Sequence, residues 1–488
     1  MNMEIQNRTL FFGDNLEILE EIPESTFDLI YLDPPFNSNR NYNVLFKEGV
    51  VDSSAQIHAF EDTWEWTPAT VKLFETLKYH QNPQIPILMN SLYEIMRDTP
   101  MMAYLVNMTA RLIPLRRVLK TTGSLYLHCD PTASHYLKIL LDVIFGKENF
   151  RNEIVWTYRR WPSKSKLFQT MHDILLFYTK DVKSKYTFNT LYQPLADITL
   201  QIHKGKKQKA VIIEGKRLSK DQTEESVGTP IPDYWYIPTI AGNARERLGY
   251  PTQKPEALLE RIIEASSNEG DLILDPFCGC GTTISVAERL NRKWVGIDIS
   301  MQAVRVINER MKAHFPHIQI NIDGIPKDFE SANNLAGRDK FKFQDWAISL
   351  VNANPPSGES RKGADRGIDG IILFYDAIDI NNPKLKKIIV QVKGGSTGRG
   401  DIAKLKGDIE REDAPMGVLI TLNEPTKEMT REASLAGEYQ NSASSSFPRI
   451  QILSIKDWFD GKYLSLPNNK VNPFKRADAK SNQISLID

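Results

Sequence analysis

Residues 27–32, Phe-Asp-Leu-Ile-Tyr-Leu, read as a buried strand that has to stop at Asp33-Pro34-Pro35-Phe36. Two successive prolines supply no amide donors, so a central strand cannot continue through them. The polar chemistry of Asp33 is thereby placed at the carboxyl end of a strand, where open α/β sheets hold their ligands. Further short apolar runs read as strands at 124–128, 154–158 and 174–178, with a helical stretch reaching Phe145.

A second strand end lies far along the chain. Residues 271–275 read as a strand, then come a glycine-rich turn, a helix over 283–290 and a strand over 294–298, which together make one βαβ unit. An amphipathic helix with Ala257, Leu258, Leu259, Ile262 and Ile263 on one face precedes it. The turn runs Asp275-Pro276-Phe277-Cys278-Gly279-Cys280-Gly281-Thr282-Thr283. Its glycines let backbone approach a ligand closely, and the helix start beyond favours an anionic group. Asp298 ends the next strand, where an acidic residue in dinucleotide-type folds bonds ribose hydroxyls. Taken alone, the Gly-x-Gly pair reads equally as an ordinary tight turn. Cys278 and Cys280 have no complementary Cys or His set nearby, so they read as small buried turn residues and not as metal ligands.

Asp33 and the Pro34 carbonyl offer two rigid acceptors. An exocyclic amine held by them has its lone pair oriented toward an electrophile. Phe36 supplies a stacking face for a base drawn out of its helix. With the glycine turn and Asp298, this favours a site for chemistry over an ordinary loop.

Length and charge narrow the partners. The chain has 488 residues, and at roughly 150 residues per domain the expectation is about three domains. A content of 41% apolar and 25% charged residues excludes a chain disordered throughout. Lys plus Arg and Asp plus Glu each number 61, so any surface for a polyanion has to be local. One such segment exists: residues 156–220 hold 14 Lys or Arg against 4 Asp or Glu, a balance of +10. Trp156, Tyr158, Trp161 and Phe168 interleave with the charges, so the segment reads as a nucleic-acid face or as a solvated surface. No run approaches the roughly 18 apolar residues of a membrane helix. The opening residues lack a secretory leader. The three cysteines exclude a disulfide framework and a four-cysteine zinc site. A soluble, cytoplasmic protein with no membrane partner is expected.

These motifs resemble those of the amino-methylating DNA methyltransferases, in the permuted order of their β group, over about residues 9–315. Gly13-Asp14-Asn15-Leu16 resembles an early strand-end motif, which implies Asp14 near the adenine of S-adenosylmethionine. Asp33-Pro34-Pro35-Phe36 matches the catalytic motif and implies Asp33, Pro34 and Phe36 as catalytic. Tyr250-Pro251-Thr252-Gln253-Lys254-Pro255 resembles the helix-start motif beside the donor, with Tyr250 where His is usual, and implies Thr252, Lys254 and Pro255 there. Asp275, Phe277, Gly279, Gly281 and Thr282 match the donor loop, and Asp298 the ribose motif. The resemblance implies a Rossmann-like α/β fold, with a seven-stranded sheet that has one antiparallel strand and is closed from two distant stretches of chain. Asp at position 33 leans toward N6-adenine over N4-cytosine as target in double-stranded DNA. The basic segment falls where the family keeps its recognition region.

The remainder reads as a second α/β unit: a helix over 344–352, strands at 371–375 and 388–392, a helix over 401–411, a strand at 417–421 and a helix over 427–436. Asp369 begins one strand of a hairpin, while Gln391 and Lys393 share a face of the next. One carboxylate, one amide oxygen and the adjacent backbone carbonyl suit Mg²⁺, and the Lys could activate a water. The alternative is a hairpin with solvated polar residues. The stretch resembles the Mrr-like branch of the PD-(D/E)xK nucleases over about 340–440, with Gln391 in place of the usual acid. That implies Asp369, Gln391 and Lys393 as catalytic and Asp369 and Gln391 as metal ligands; Asp345, on the preceding helix, is a further acidic candidate.

The expected division is therefore a catalytic half over 1–155, a recognition region over 156–240, a donor-binding half over 241–323, a polar connector over 324–340, a restriction-endonuclease-like domain over 341–465 and a loose tail over 466–488. Residues 441–447 are also expected to be loose. The expected function is DNA methylation joined to cleavage, as in restriction–modification. The alternatives are a tail that binds without cutting, and a non-catalytic DNA-binding protein. Oligomeric state is left open, a homodimer included.

Overall fold

A computed structural model describes residues 4–35, 41–48, 51–61, 64–161, 164, 166–213, 216–250, 252–356, 367–376, 385–442 and 444–468. Nine strands form the large sheet, in the order Tyr234–Tyr236, Phe150–Thr157, His172–Thr179, Leu119–Cys129, Phe27–Leu32, Leu272–Asp275, Lys293–Asp298, Thr9–Phe12 and Asn321–Asp323. His172–Thr179 runs antiparallel to both neighbours, and every other pairing is parallel. The expected single antiparallel strand is present. The expected count of seven is corrected to nine, because a three-residue strand is added at each edge.

Side chains alternate across this sheet. Leu29 and Tyr31 enter one apolar layer, while Ile30 and Leu32 enter the other. The first layer is closed by the helices Glu256–Ser266, Thr282–Arg289 and Met301–His314. The second is closed by Asn15–Glu21, Pro68–Leu77, Gln84–Met96, Pro100–Val118 and Ser134–Phe145. A strand covered on both faces cannot carry alternating polar residues, hence the apolar run before Asp33. Each fully buried Leu or Ile in these layers contributes roughly 1.5–3 kcal/mol. The sheet centre is therefore rigid, and the loops at its carboxyl edge inherit that rigidity.

The segment 156–240 is interleaved with the sheet, to which it contributes the strands His172–Thr179 and Tyr234–Tyr236. Between them lie the helix Asp197–His203 and a hairpin of Lys206–Ile213 with Lys216–Glu225.

Residues 324–340, expected as a polar connector, contain the helix Phe329–Arg338. The Asp328 carboxylate caps it, accepting from the Ser331 amide at 2.7 Å. The next helix is Lys340–Leu350, and a four-stranded sheet follows in the order Gly370–Tyr375, Leu385–Lys393, Met416–Thr421 and Ile450–Ser454. Its first pair is antiparallel and the others are parallel. Ile389 and Leu419 pack against the helices Arg399–Arg411 and Lys427–Ser434. Ile388, Val390, Val418 and Ile420 pack on the opposite face with Phe343 and Trp346, in an apolar cluster continuous with the first layer of the large sheet. Arg338 pairs with Glu17 at 3.4 Å, and the Lys342 ammonium lies 5.3 Å from the Phe12 ring centre. Residues 441–447, expected to be loose, are corrected in part: Glu438–Gln440 pairs antiparallel with Ser446–Pro448 across them. Of the tail expected to be loose, 469–488 lies outside the described residues.

Candidate active site at the strand ends

Thr9–Phe12, Phe27–Leu32, Leu272–Asp275 and Lys293–Asp298 are parallel neighbours, so the turns that follow them meet at one edge of the sheet. That topology brings Asp14, Asp33, Asp275 and Asp298 together from both ends of the chain. Asn15 ties the two stretches directly, donating from Nδ2 to the Pro276 carbonyl at 2.7 Å.

Asp33 follows its strand directly, and Pro34 behind it is buried. Phe36 lies outside the described residues. The Lys254 ammonium donates to Asp33 Oδ2 at 2.6 Å, with side-chain exposures of 13% and 16%. Lys254, expected beside the donor, is thus placed on the carboxylate of the Asp-Pro-Pro motif. Removing one partner of so desolvated a pair costs about 3–5 kcal/mol. Thr252 is half-buried, and Pro255 is buried as the N-cap of Glu256–Ser266. Burial, with Asp298 nearby, pushes the Tyr250 phenol well up.

Gly279 and Gly281 both have positive φ, 50° and 73°. A Cβ on Gly281 would stand 2.8 Å from the Ile307 side chain, so position and conformation both require glycine there. Asp298 accepts from the Gly279 and Ser300 amides, each at 2.8 Å. Asp275 accepts from the Phe277 amide at 3.1 Å. Burial raises the Asp298 carboxyl to about 6, although both amide contacts oppose it. Burial raises Asp275 to about 7, against contacts with Thr283 and Phe277 and with Asp33 and Asp298 adding to the rise. Between the ordinary carboxylate range of about 4 and these values the folded chain holds protons that the unfolded chain has released. The free protein therefore loses stability as pH rises through that window.

Cys278 and Cys280 are buried and 5% and 4% exposed, as their reading as turn residues requires, and burial raises both thiols. Among the described residues no group of three or more His, Cys, Asp or Glu could hold a metal ion. No described helix is long and apolar enough to cross a membrane.

Several supporting residues escaped the motif reading. Arg310 donates to the Cys280 carbonyl at 3.1 Å and to Thr282 Oγ1 at 3.3 Å, bracing the back of the turn. Arg111 donates to Asp14 Oδ1 at 2.9 Å and to Asn15 Oδ1 at 2.6 Å. Asp14 also caps the helix Asn15–Glu21, accepting from the Leu16 amide. A cleft of about 490 Å³ opens beside it, lined by Trp64, Thr67, Asn107 and Arg111 among others. Behind Asp33 lie Tyr31, His128 and Asp173. The available signal was one charged or polar residue inside an apolar element: Arg111 within its helix, His128 at the end of Leu-Tyr-Leu.

In the smaller sheet, the Asp369 carboxylate accepts from the Val392 amide at 2.6 Å. Gln391 is 1% exposed and donates to the Gly367 carbonyl at 2.6 Å and to Asp408 at 2.5 Å, while its Oε1 is buried with no partner. Lys393 Nζ lies 4.0 Å from Asp401. Asp345 is half-buried on the helix Lys340–Leu350.

Two family models match separate stretches of the chain. Residues 356–449 match a family model described as NACHT-associated inactive Restriction Endonuclease 1. The DNA adenine methyltransferase YhdJ of Escherichia coli (strain K12) is 28% identical over 300 residues, 61% of this chain and 81% of that protein. The type II methyltransferase M.HpaI of Haemophilus parainfluenzae is 26% identical over 313 residues, 63% of this chain and 76% of that protein. Superposition on solved structures is loose. The PvuII DNA methyltransferase (cytosine-N4-specific) gives a TM-score of 0.36 at 15% identity, over 70% of this chain and 94% of that one. The M1.HpyAVI–SAM complex gives 0.33 at 18% identity, over 62% and 98%. Residues 27–309 match the family model described as DNA methylase, of the N6 and N4 methyltransferases, and the chain belongs to that family.

Proposed function

We propose that the chain methylates the N6 amine of adenine in double-stranded DNA, with S-adenosylmethionine as donor. The observation that carries this reading is the meeting of Asp33 with the Gly279–Gly281 turn and Asp298 at one sheet edge. The cradle fits the donor. Two positive-φ glycines keep the turn bare, and Asp298 has a carboxylate that can accept from ribose hydroxyls. When bound, the donor supplies a methyl already activated on a sulfonium. Asp33 and the Pro34 carbonyl orient the amine toward it, so the chain's contribution is orientation and electrostatics. Lys254 holds the Asp33 carboxylate at a fixed angle. Phe36 offers a stacking face, worth roughly 1–3 kcal/mol against the few kcal/mol that flipping a base costs. Adenine is favoured by Asp at position 33 and by the likeness to YhdJ.

A pH dependence follows from the raised carboxyls. A donor whose hydroxyls donate to Asp298 binds the ionised form. Affinity should fall about tenfold for each unit below pH 6, with proton release on binding in that same range. Calorimetry in two buffers of different ionisation enthalpy measures both. A flat affinity between pH 5 and 7.5 would remove Asp298 from the donor site.

The basic hairpin supplies the backbone contacts to DNA in this reading. Neutralising Lys204, Lys206, Lys207 and Lys209 together should lower affinity and flatten its salt dependence without changing the methylated sequence. Lys207 pairs with Glu224 at 2.5 Å, so its share should be the smallest. Unchanged affinity and salt slope in a filter-binding titration would place the hairpin away from DNA.

A second activity is carried by the smaller sheet. Gln391 Oε1, buried and unpartnered, sits on the same strand face as Lys393 and beside Asp369. Asp369 and Gln391 would hold Mg²⁺, which prefers oxygen ligands and supplies charge stabilisation to a phosphodiester. Lys393 would orient the attacking water. Cleavage at an unmethylated site makes the chain a restriction–modification protein.

A further inference from the structure

His128 is fully buried after the apolar run Leu125-Tyr126-Leu127 near the end of its strand, between two carboxylates. Its Nδ1 lies 3.0 Å from the Tyr31 hydroxyl and 3.7 Å from Asp33 Oδ1. Its Nε2 lies 3.3 Å from Asp173 Oδ2. The other oxygen of Asp173 accepts from the Tyr158 hydroxyl at 3.0 Å, and Tyr158 in turn accepts from the exposed Arg160 guanidinium at 3.0 Å. The groups thus form a line from the sheet interior at Asp33 to the protein surface at Arg160. Trp156 walls it edge-on, 5.5 Å from the His128 ring. Nothing in the packing requires a polar side chain here. An apolar residue would avoid the desolvation that a buried imidazole and its carboxylate incur.

We propose that Asp173 and His128 form a buried relay behind Asp33, holding the catalytic carboxylate and taking up the proton that the target amine must lose. This rests on the methyltransferase reading. As the bond from the amine nitrogen to the methyl carbon forms, the carbon–sulfur bond breaks and its electron pair stays on sulfur. The nitrogen is then one proton in excess. Its N–H bond breaks with the pair left on nitrogen, and the proton passes to Asp33 Oδ1. His128 Nδ1, 3.7 Å from that oxygen, takes it as the Tyr31 hydroxyl turns from donor to acceptor, and the imidazolium is held at Nε2 by the ionised Asp173. Asp173 is suited to stay ionised beside that imidazolium: burial opposes its charge, but contacts with His128, Lys254 and Tyr158 outweigh that and keep its carboxyl below the usual range. The groups facing His128 are Tyr31 and Asp33 from one strand, Asp173 from another, and Tyr158 from the strand beyond, with Lys254 acting through Asp33 and Asp173.

His128 and Asp173 are positioning residues, so their test needs more than lost activity. Single-turnover methyl transfer to duplex DNA is measured across pH for wild type, His128→Asn and Asp173→Asn, with calorimetric binding of S-adenosylmethionine alongside. Both variants should slow transfer about ten- to a hundredfold, the low end of what general-base assistance supplies. Donor affinity should stay within about threefold, and the acid limb of the Asp173→Asn profile should move by about half a pH unit or more. Should His128→Asn fail to fold, Asp173→Asn, whose side chain is not fully buried, carries the comparison. Rates within twofold of wild type and superimposable profiles overturn the relay alone. A wild type that transfers no methyl to DNA overturns the methyltransferase reading and the relay with it.

Discussion

Asp33→Ala should reduce methyl transfer to DNA by about a thousandfold or more, the scale on which a preorganised acceptor acts at a transition state. Donor affinity should stay within about threefold, because the donor contacts in this account are Gly279, Gly281 and Asp298 and not Asp33. The substitution also strands Lys254, whose ammonium pairs with Asp33 at 2.6 Å in a mostly buried setting. A fall in melting temperature is therefore expected with it, in line with a loss of about 3–5 kcal/mol for a broken buried pair. Asp33→Asn separates the effects: it keeps the shape and one acceptor, and should still lose most of the rate. Filter-bound counting of tritiated methyl, with calorimetry for the donor, reads both. Near-normal transfer by either variant would remove Asp33 from the chemistry.

The second large effect concerns the smaller sheet. Lys393→Ala should abolish Mg²⁺-dependent cleavage of unmethylated DNA, a loss of about a thousandfold or more for a group acting on the attacking water. Methyl transfer should be unaffected, because Lys393 lies at the end of the strand Leu385–Lys393 and its nearest ionic partner is Asp401. The full chain is the proper substrate for this assay, since the apolar cluster behind Val390 and Val418 continues into the helices of the large sheet. Cleavage that survives Lys393→Ala points to another nuclease. No cleavage by wild type of a duplex that it can methylate would remove the nuclease role from the smaller sheet, whose matching family model is described as an inactive restriction endonuclease.

Much of the site was legible because its motifs are local. Asp33-Pro34-Pro35 declares a strand end within four residues, and the spacing from Asp275 to Asp298 declares a βαβ unit. What was not legible depends on pairings between distant elements. That Leu274 lies opposite Ile30 is a matter of topology, and only that register sets the glycine turn beside Asp33. Lys254 sits in a motif that points to the donor, yet its ammonium reaches across to the Asp33 carboxylate. Arg111 and Arg310 carry no motif at all; their role arises from which loop each helix happens to face. The polar composition of 324–340 resembled a linker, but Ala332 and Ala336 give it a narrow buried face that small side chains hide from a hydropathy reading.

The central claim is transfer of a methyl group to the N6 position of adenine in DNA. Its most direct test incubates the purified 488-residue chain with unmethylated duplex DNA and S-adenosylmethionine, digests the product to nucleosides and resolves the methylated bases by mass spectrometry. N6-methyladenine is expected in the wild-type reaction and none with Asp33→Ala. N4-methylcytosine, or no methylated nucleoside at all, would contradict it.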